Sequence, residues 1–182
     1  MAERSHSSRL SRSAFLQGAW REDKMLIRPP WATDEGDFLS SCDSRCKSCV
    51  DACPEKIIVI GRGNYPHIDF SKGECTFCEQ CVDSCNYHAL VKQPDGQPWL
   101  HKAVINMDKC ITQQSVVCRS CSEMCEAVAI KFHPVVGGVS SPELNSDLCN
   151  GCGACISVCP TTALFISPLD DVDQGALGEN SL

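Results

Sequence analysis

The cysteines constrain this chain more than any other feature, because they fall into four runs of four with none left over. Runs II and IV have the spacing C-x2-C-x2-C-x3-C, whereas the first gap widens to x3 in run I and to x7 in run III. The last three cysteines of every run keep the spacing C-x2-C-x3-C. The runs are Cys42, Cys46, Cys49 and Cys53 (run I), Cys75, Cys78, Cys81 and Cys85 (run II), Cys110, Cys118, Cys121 and Cys125 (run III), and Cys149, Cys152, Cys155 and Cys159 (run IV).

This spacing is typical of the ligands of a four-iron, four-sulfide cubane. Two-residue gaps in a tight loop point successive sulfurs at three corners of one cube, and the fourth cysteine begins the next element. In the bacterial two-cluster arrangement that fourth cysteine binds the other cluster, and a proline often follows it, as in Cys53-Pro54 and Cys159-Pro160. The sequence therefore predicts 4Fe-4S clusters on runs I, II and IV, and a fourth on run III, with all sixteen cysteines as iron ligands.

Run III leaves alternatives open, because residues 111–117 are inserted between its first two cysteines. A three-iron cluster, a loosely held cluster, or a site without Cys110 would each fit that gap. Structural zinc is disfavoured for the whole set, since it uses two C-x2-C pairs and has no role for third and fourth cysteines at these gaps.

Disulfides would need an oxidising compartment, and the N-terminus argues against export. The segment from Ser11 to Gln17 resembles a twin-arginine motif with one arginine missing, but residues 18–24 are not the apolar stretch that an export signal requires. We therefore expect a cytoplasmic protein with reduced thiols. No apolar run approaches the roughly 18 residues that cross a bilayer, so we expect no membrane insertion.

The runs recur as a repeat, with first cysteines at positions 42, 75, 110 and 149. A short apolar segment follows each run, so each unit is predicted to be strand, cluster loop, short helix and strand. The apolar segments are residues 57–60, 89–91, 129–132 and 163–166. Two such units form the pseudo-symmetric bacterial ferredoxin fold, and four units predict an α+β protein of two tandem, cluster-cored modules.

We place the domain boundaries by composition and repeat. Residues 1–34 are predicted to be a basic arm, residues 35–100 the first module, residues 101–167 the second module and residues 168–182 an acidic tail. Neighbouring runs are expected to share clusters, because sequential elements usually lie adjacent. That pairing joins run I with run II and run III with run IV. A nested pairing of run I with run IV, and of run II with run III, stays open.

Charge and composition exclude several functions. The formal net charge is −7, and the basic residues concentrate before residue 29, so the chain lacks the basic folded face of a nucleic-acid binder. The five histidines stand in unrelated contexts, and none pairs with a nucleophile or an acid in a catalytic order. We therefore predict no enzyme active site and no catalytic residue.

Beyond its cysteines, the chain resembles the NapF-type ferredoxins, which are accessory proteins of periplasmic nitrate reductase systems. The resemblance covers nearly the whole chain. It is carried by Ser11-Arg12 with Gly18 and Trp20, by residues 27–31 and 63–66, by the x7 gap and residues 114–121 of run III, and by residues 144–155.

The resemblance implies a cytoplasmic iron-sulfur protein that binds the molybdenum-containing catalytic subunit of the reductase, in its cytoplasmic precursor form, and assists its maturation by supplying electrons or clusters. The basic arm is either a solubilising tail or a docking arm for this partner, with Arg12, Phe15, Leu16 and Trp20 as candidate contacts. Two rival functions are an electron-relay subunit of a membrane-associated oxidoreductase complex and a carrier that donates its own clusters.

Overall fold

The computed structural model describes residues 26–93 and 97–168. The predicted arm contacts Arg12, Phe15, Leu16 and Trp20, and the tail from residue 169 onward, lie outside these residues. The described helices are α1 (Glu35–Ser41), α2 (Ser48–Ala52), α3 (Gln80–Asp83), α4 (Ser120–Glu123) and α5 (Ala154–Ser157). The strands are β1 (Ile58–Ile60), β2 (Pro66–Ile68), β3 (His101–Ile105), β4 (Ile130–His133), β5 (Ser141–Leu144) and β6 (Leu164–Pro168).

Each half of the chain contains two antiparallel pairings, one between its inner segments and one between its outer segments. In the second half, the inner strands β4 and β5 are antiparallel, and the outer strands β3 and β6 are antiparallel. In the first half, β1 pairs with β2, and the outer pairing is a single bridge between Ala32 and Leu90. This architecture confirms the prediction of two tandem, pseudo-symmetric modules.

The helices are short because the cysteine spacing and flanking residues end them quickly. Helix α2 stops at Cys53, after which Pro54 has no N–H to continue the hydrogen-bond ladder. Helices α3 to α5 have only four residues each. In each module two of these turns pack together, α2 against α3 and α4 against α5. The fold thus brings the cysteine runs of one module face to face.

Cysteines are part of both apolar cores. The first core packs Phe38, Ile57 and Phe70 with buried Cys53 and Cys81. The second core packs buried aliphatic residues of β3, β4 and β6 with three buried cysteines, which are Cys121, Cys149 and Cys155. Each module therefore surrounds its sulfurs with apolar side chains.

The segment before α1 packs against the first module, although the sequence placed residues 1–34 in a separate arm. Ile27 accepts a backbone hydrogen bond from Ile68 at 2.7 Å, and Trp31 is only 8% exposed. Arg28 forms a two-point ion pair with Glu35 and lies 4.9 Å from the ring centroid of Phe38. The arm prediction therefore concerns only the residues before Leu26, which are outside the described part of the chain.

Candidate metal centres

Three cavities are each lined by four cysteines that come from two neighbouring runs. The cavities measure about 330, 350 and 310 Å³, and we call them sites A, B and C. Three cysteines of each site come from one loop, and the fourth comes from the end of the preceding or following loop. Site A is Cys42, Cys46, Cys49 and Cys85; site B is Cys53, Cys75, Cys78 and Cys81; site C is Cys125, Cys149, Cys152 and Cys155.

The remaining four cysteines, which we call site D, are Cys110, Cys118, Cys121 and Cys159. Cys110 and Cys118 are close enough to Cys121 for their charges to raise the pKa of its thiol. Cys121 and Cys159 belong to the same apolar core. Residues 111–114, within the insertion of run III, form a 3-10 turn, so the wide gap is folded back beside the other ligands.

The structure brings run I together with run II, and run III together with run IV. The fourth cysteine of each run lies with the other run of its module, as in the exchanged arrangement of bacterial ferredoxins. Pairing between neighbouring runs is thus the geometry observed, rather than the nested alternative. Sixteen cysteines are thereby distributed over four sets of four.

Burial raises the pKa of seven of these sixteen thiols. Burial, together with the charges of neighbouring cysteines, raises the pKa of Cys49, Cys81 and Cys155 to about 12. The pKa of Cys75 and of Cys121 rises to about 11, again mainly through burial. These thiols carry their protons at neutral pH when no metal is bound, so metal binding must release protons.

Cys159 behaves differently, since its pKa is lowered. Burial acts to raise this pKa, but N–H groups of Ala163 and Thr161, and the Thr161 hydroxyl, outweigh it by stabilising the thiolate. The Ala163 N–H donates to Cys159 Sγ at 3.2 Å. Site D thus contains one sulfur that is already arranged to carry negative charge.

The donor sets fit 4Fe-4S clusters. All four positions at each site are soft sulfur donors, which select iron-sulfur clusters or other thiophilic metals. Among residues 26–93 and 97–168, no three His, Cys, Asp or Glu side chains converge closely enough to share one metal ion. A cubane does not require such convergence, because each thiolate binds a different iron.

Loop N–H groups approach the sulfurs in both modules. The Phe77 N–H stabilises the Cys75 thiolate in site B, and the Ala154 N–H does so for Cys152 in site C. Cys75 is the first cysteine of run II and Cys152 is the second cysteine of run IV, so both sites have a bond of this kind but at different positions of the repeat. Such bonds raise the reduction potential of a bound cluster.

Lys102 is a residue that sequence reasoning missed. It lies on β3, is only 8% exposed, and its ammonium group donates to the carbonyl oxygen of Cys149. The next residue, Ala103, donates its N–H to Cys149 Sγ at 3.5 Å. A lysine in a polar-apolar alternation gives no sign of burial in the sequence, because the Cys149 carbonyl that it contacts lies 47 residues further along the chain.

No helix in the described ranges is long and apolar enough to span a membrane. Within those ranges we also see no grouping of histidines with the cysteines. His133 is exposed, with its Nε2 atom 2.8 Å from a carboxylate oxygen of Glu143, whereas His67 and His101 are partly buried on β2 and β3.

Comparison with known proteins identifies the two modules. Residues 41–90 and residues 116–163 each match the family described as 4Fe-4S dicluster domain. The first match includes all eight cysteines of runs I and II, whereas the second begins after Cys110. The dicluster matches agree with two four-cysteine sites per module.

Similar proteins cover most of the chain. It is 43% identical over 154 residues to the ferredoxin-type protein NapF of Escherichia coli strain K12, covering 85% of this chain and 92% of that protein. It is 39% identical over 166 residues to NapF of Haemophilus influenzae, covering 88% and 90%. A more distant relative is the ferredoxin-type protein NapG of Escherichia coli K12, at 28% over 181 residues, covering 88% and 78%.

Proposed function

This chain belongs to the family of ferredoxin-type NapF proteins, and from that premise we propose that it is a cytoplasmic accessory protein for the maturation of a periplasmic nitrate reductase. It holds four 4Fe-4S clusters and binds the molybdenum-containing catalytic subunit before that subunit is exported. The observation that carries the cluster part of this proposal is the set of cavities lined by four cysteines from two exchanged runs.

The cysteines of sites A to D hold the clusters, with site D including Cys110. When bound, such clusters store and pass single electrons over potentials from about −700 to +450 mV. The surrounding apolar residues exclude water from the sulfurs, while loop N–H groups and hydroxyls stabilise their negative charge.

Charge complementarity supports a protein partner for this body. The chain has a net charge of −7 without clusters, and each oxidised cluster with four thiolates adds about −2. A strongly negative body favours a partner with a positive docking face. The basic arm has the opposite sign to the body, and Arg12, Phe15, Leu16 and Trp20 are its proposed client contacts.

The cluster proposal is tested by counting iron and acid-labile sulfide in anaerobically purified protein. We expect about sixteen irons per chain, together with EPR signals of reduced four-iron clusters. A count near fifteen, with a three-iron EPR signal, would replace the fourth cubane with a three-iron centre. Folded protein that contains zinc or no metal would overturn the proposal.

The partner proposal is tested by co-purification with the catalytic-subunit precursor from the soluble fraction. We expect the double variant Arg12→Ala/Trp20→Ala to bind the precursor more weakly and to keep its full iron content. A loss of iron in that variant would mean that the arm belongs to the fold. Recovery of the protein with the membrane fraction, without the precursor, would favour the electron-relay function instead.

A further inference from the structure

The two modules can be compared position by position, because their outer segments pair in the same register. Thr33 donates its backbone N–H to the carbonyl of Ala89 at 3.1 Å in the first module. Asn106 donates to Ala163 at 2.7 Å in the second. The bridge of Ala32 to Leu90 likewise matches the pairing of Ile105 with Leu164, so position 33 corresponds to position 106. This correspondence shows where one module has a charge-stabilising group and the other does not.

Site C receives a backbone donor that site B lacks. Ala103 lines site C and donates its N–H to Cys149 Sγ at 3.5 Å. The corresponding residue in the first module is Pro30, which lines site B. Proline has no N–H, so the same backbone position cannot donate to a sulfur there.

Site C also lies beside a buried positive charge. Lys102 is 8% exposed, and its ammonium group donates to the carbonyl of Cys149. The corresponding residue in the first module is Pro29, which is fully buried and carries no charge. An ammonium group in a partly desolvated setting favours the extra electron of a reduced cluster next to it.

The fourth cysteines of the runs also differ between the modules in the N–H bonds that they accept. Cys125 and Cys159 each accept an N–H bond from the alanine four residues later, at 3.3 and 3.2 Å. Among the N–H to sulfur hydrogen bonds of the described residues, the matching Cys53 and Cys85 of the first module are not acceptors.

Hydroxyl groups are also more numerous around the second module's outer site. In site D, Thr112 lies 3.2 Å from Cys110 Sγ, and Ser120 and Thr161 lie 3.8 Å from the sulfurs of Cys118 and Cys159. In site A the one such contact in the described part of the chain is between Cys46 Sγ and Ser48, at 3.3 Å. Once iron has displaced the thiol proton, these hydroxyls are the donors and the sulfurs the acceptors.

Charged side chains within the cysteine loops also favour reduction in the second module over the first. Between its first and last cysteines, run II carries Glu79 and Asp83, while run IV carries no charged residue. Negative charge beside a cluster disfavours its reduction, because the reduced cluster is more negative. Glu79 is partly offset by its ion pair with Lys92.

We propose that the second module holds its clusters at higher reduction potentials than the first, so that reducing equivalents collect in sites C and D. The proposal deepens the proposed function and rests on it, since it requires clusters at these sites. Its basis is the unequal supply of N–H groups, hydroxyls and positive charge at matched positions. The reductant is any one-electron donor of low potential, and each electron gained by the second module is one lost by the first.

The junction between the modules makes such a transfer short. The N–H of Cys75, a site B ligand, donates to the carbonyl of Cys152, a site C ligand, at 2.8 Å. Trp99 lies across the same junction and donates its indole N–H to Asn150 at 3.1 Å. Sites B and C are therefore the inner pair of one row, in the order A, B, C, D.

The test is an EPR-monitored redox titration of the anaerobic full-length holoprotein, with dithionite as reductant. Cys81→Ala and Cys155→Ala remove the matched third cysteines of sites B and C. We expect the signal lost in the Cys155→Ala protein to have the more positive midpoint potential. The reverse order, or equal potentials, would overturn the proposal.

A second set of variants leaves every cysteine in place, in case a cysteine variant retains an altered cluster. Lys102→Met is expected to move the more positive signals to lower potential, and Thr161→Val should act in the same direction. Pro30→Ala is expected to move a more negative signal upward. The matched control Lys131→Met, an exposed lysine on β4, should leave all potentials unchanged.

The outcomes separate this inference from the proposed function. Wild-type protein without iron and sulfide would refute the proposed clusters themselves. If the wild-type protein has its full iron content, but Lys102→Met and Thr161→Val move only the more negative signals or none, the clusters stand. Only the difference between the modules would then be refuted.

Discussion

At the scale of single residues, the space around a position decides whether it must be glycine, even where the backbone conformation alone would accept a side chain. Glu79 and Gly153 occupy the same position after the second cysteine of their runs, and both have positive φ, 64° and 83°. Glu79 shows that a side chain is accepted in this conformation. A Cβ at Gly153, however, would lie 2.0 Å from Cδ1 of Phe70 in the other module. Packing between the modules therefore requires glycine there.

Gly153→Ala tests this requirement. We expect the midpoint of thermal bleaching to fall well below that of the wild type, because overpacking at a buried contact costs about 1–3 kcal/mol. Gly137→Ala is the matched control, since Gly137 also has positive φ, 73°, but open space around its missing Cβ. Equal effects of the two variants would show that backbone strain, and not Phe70, is the reason.

Two histidines make the stability sensitive to acid. Burial lowers the pKa of His67 and of His101, and the Nδ1 atom of each is buried without a hydrogen-bond partner in the structure. The unfolded chain therefore binds a proton at a higher pH than the folded protein does. Stability from this source is present above the ordinary histidine pKa of about 6.5 and is lost as the pH falls below it.

We expect the thermal midpoint of the holoprotein to fall between pH 7.5 and pH 5.5, and His67→Phe to reduce that fall. His133→Gln is the control, because His133 is exposed and paired with Glu143. The midpoint is read from circular dichroism under anaerobic conditions. An unchanged pH dependence in His67→Phe would contradict the role of its burial.

At the scale of elements, no helix or strand near the cysteines is long enough to be stable alone. Helices α2 to α5 have four or five residues, and the strands have three to five. Isolated helices of this length do not form in water. Each module therefore depends on contacts between its two runs, and in the proposed clusters the exchanged fourth cysteines connect those runs.

Iron counts of paired cysteine variants test the exchange. Cys53→Ala and Cys75→Ala alter one site from two runs, so each variant and the double variant should lose the same one cluster, about four irons. Cys42→Ala with Cys53→Ala alters two sites from one run, and should lose about eight irons. Loss of one cluster in the Cys42/Cys53 pair, and of two in the Cys53/Cys75 pair, would show that each run binds its own cluster.

At the scale of the whole molecule, one aromatic junction holds the two modules together. Trp99 packs edge-on against Phe70 and Phe77, with ring centroids 5.8 Å apart in both pairs. The backbone of Pro98 accepts the N–H of Trp31. These contacts are with the first module, and the Trp99 indole N–H donates to the Asn150 carbonyl of the second. The segment joining the modules therefore contacts both of them, which fixes the inner sites next to each other.

Trp99→Ala is expected to loosen this junction without removing clusters. Truncating a buried tryptophan costs about 3–5 kcal/mol, and this loss falls on contacts between the modules. Small-angle scattering should then give a larger radius of gyration at unchanged iron content. Phe132→Ala, within the second module, is the control and should leave the radius unchanged. An unchanged radius in Trp99→Ala would mean that other contacts hold the modules together.

The sequence by itself determined the four cysteine runs, the repeat and the two-module fold, because the cysteine spacing is a local property of the chain. It also placed the short strands after each run to within a residue or two, except that residues 89–91 form a single bridge instead of a strand. These features depend on residues that are close together in the chain, so the sequence pattern alone predicts them.

Tertiary structure decided which residues surround each site. The burial of Lys102, the absence of an N–H at Pro30 and the contact of Gly153 with Phe70 all depend on residues distant in the chain. Gly151 and Gly153 lie against Trp99 and Phe70, which occupy the space where a Cβ would be. Pairing of outer segments and packing of one module on the other create these environments, and a one-dimensional pattern does not contain either.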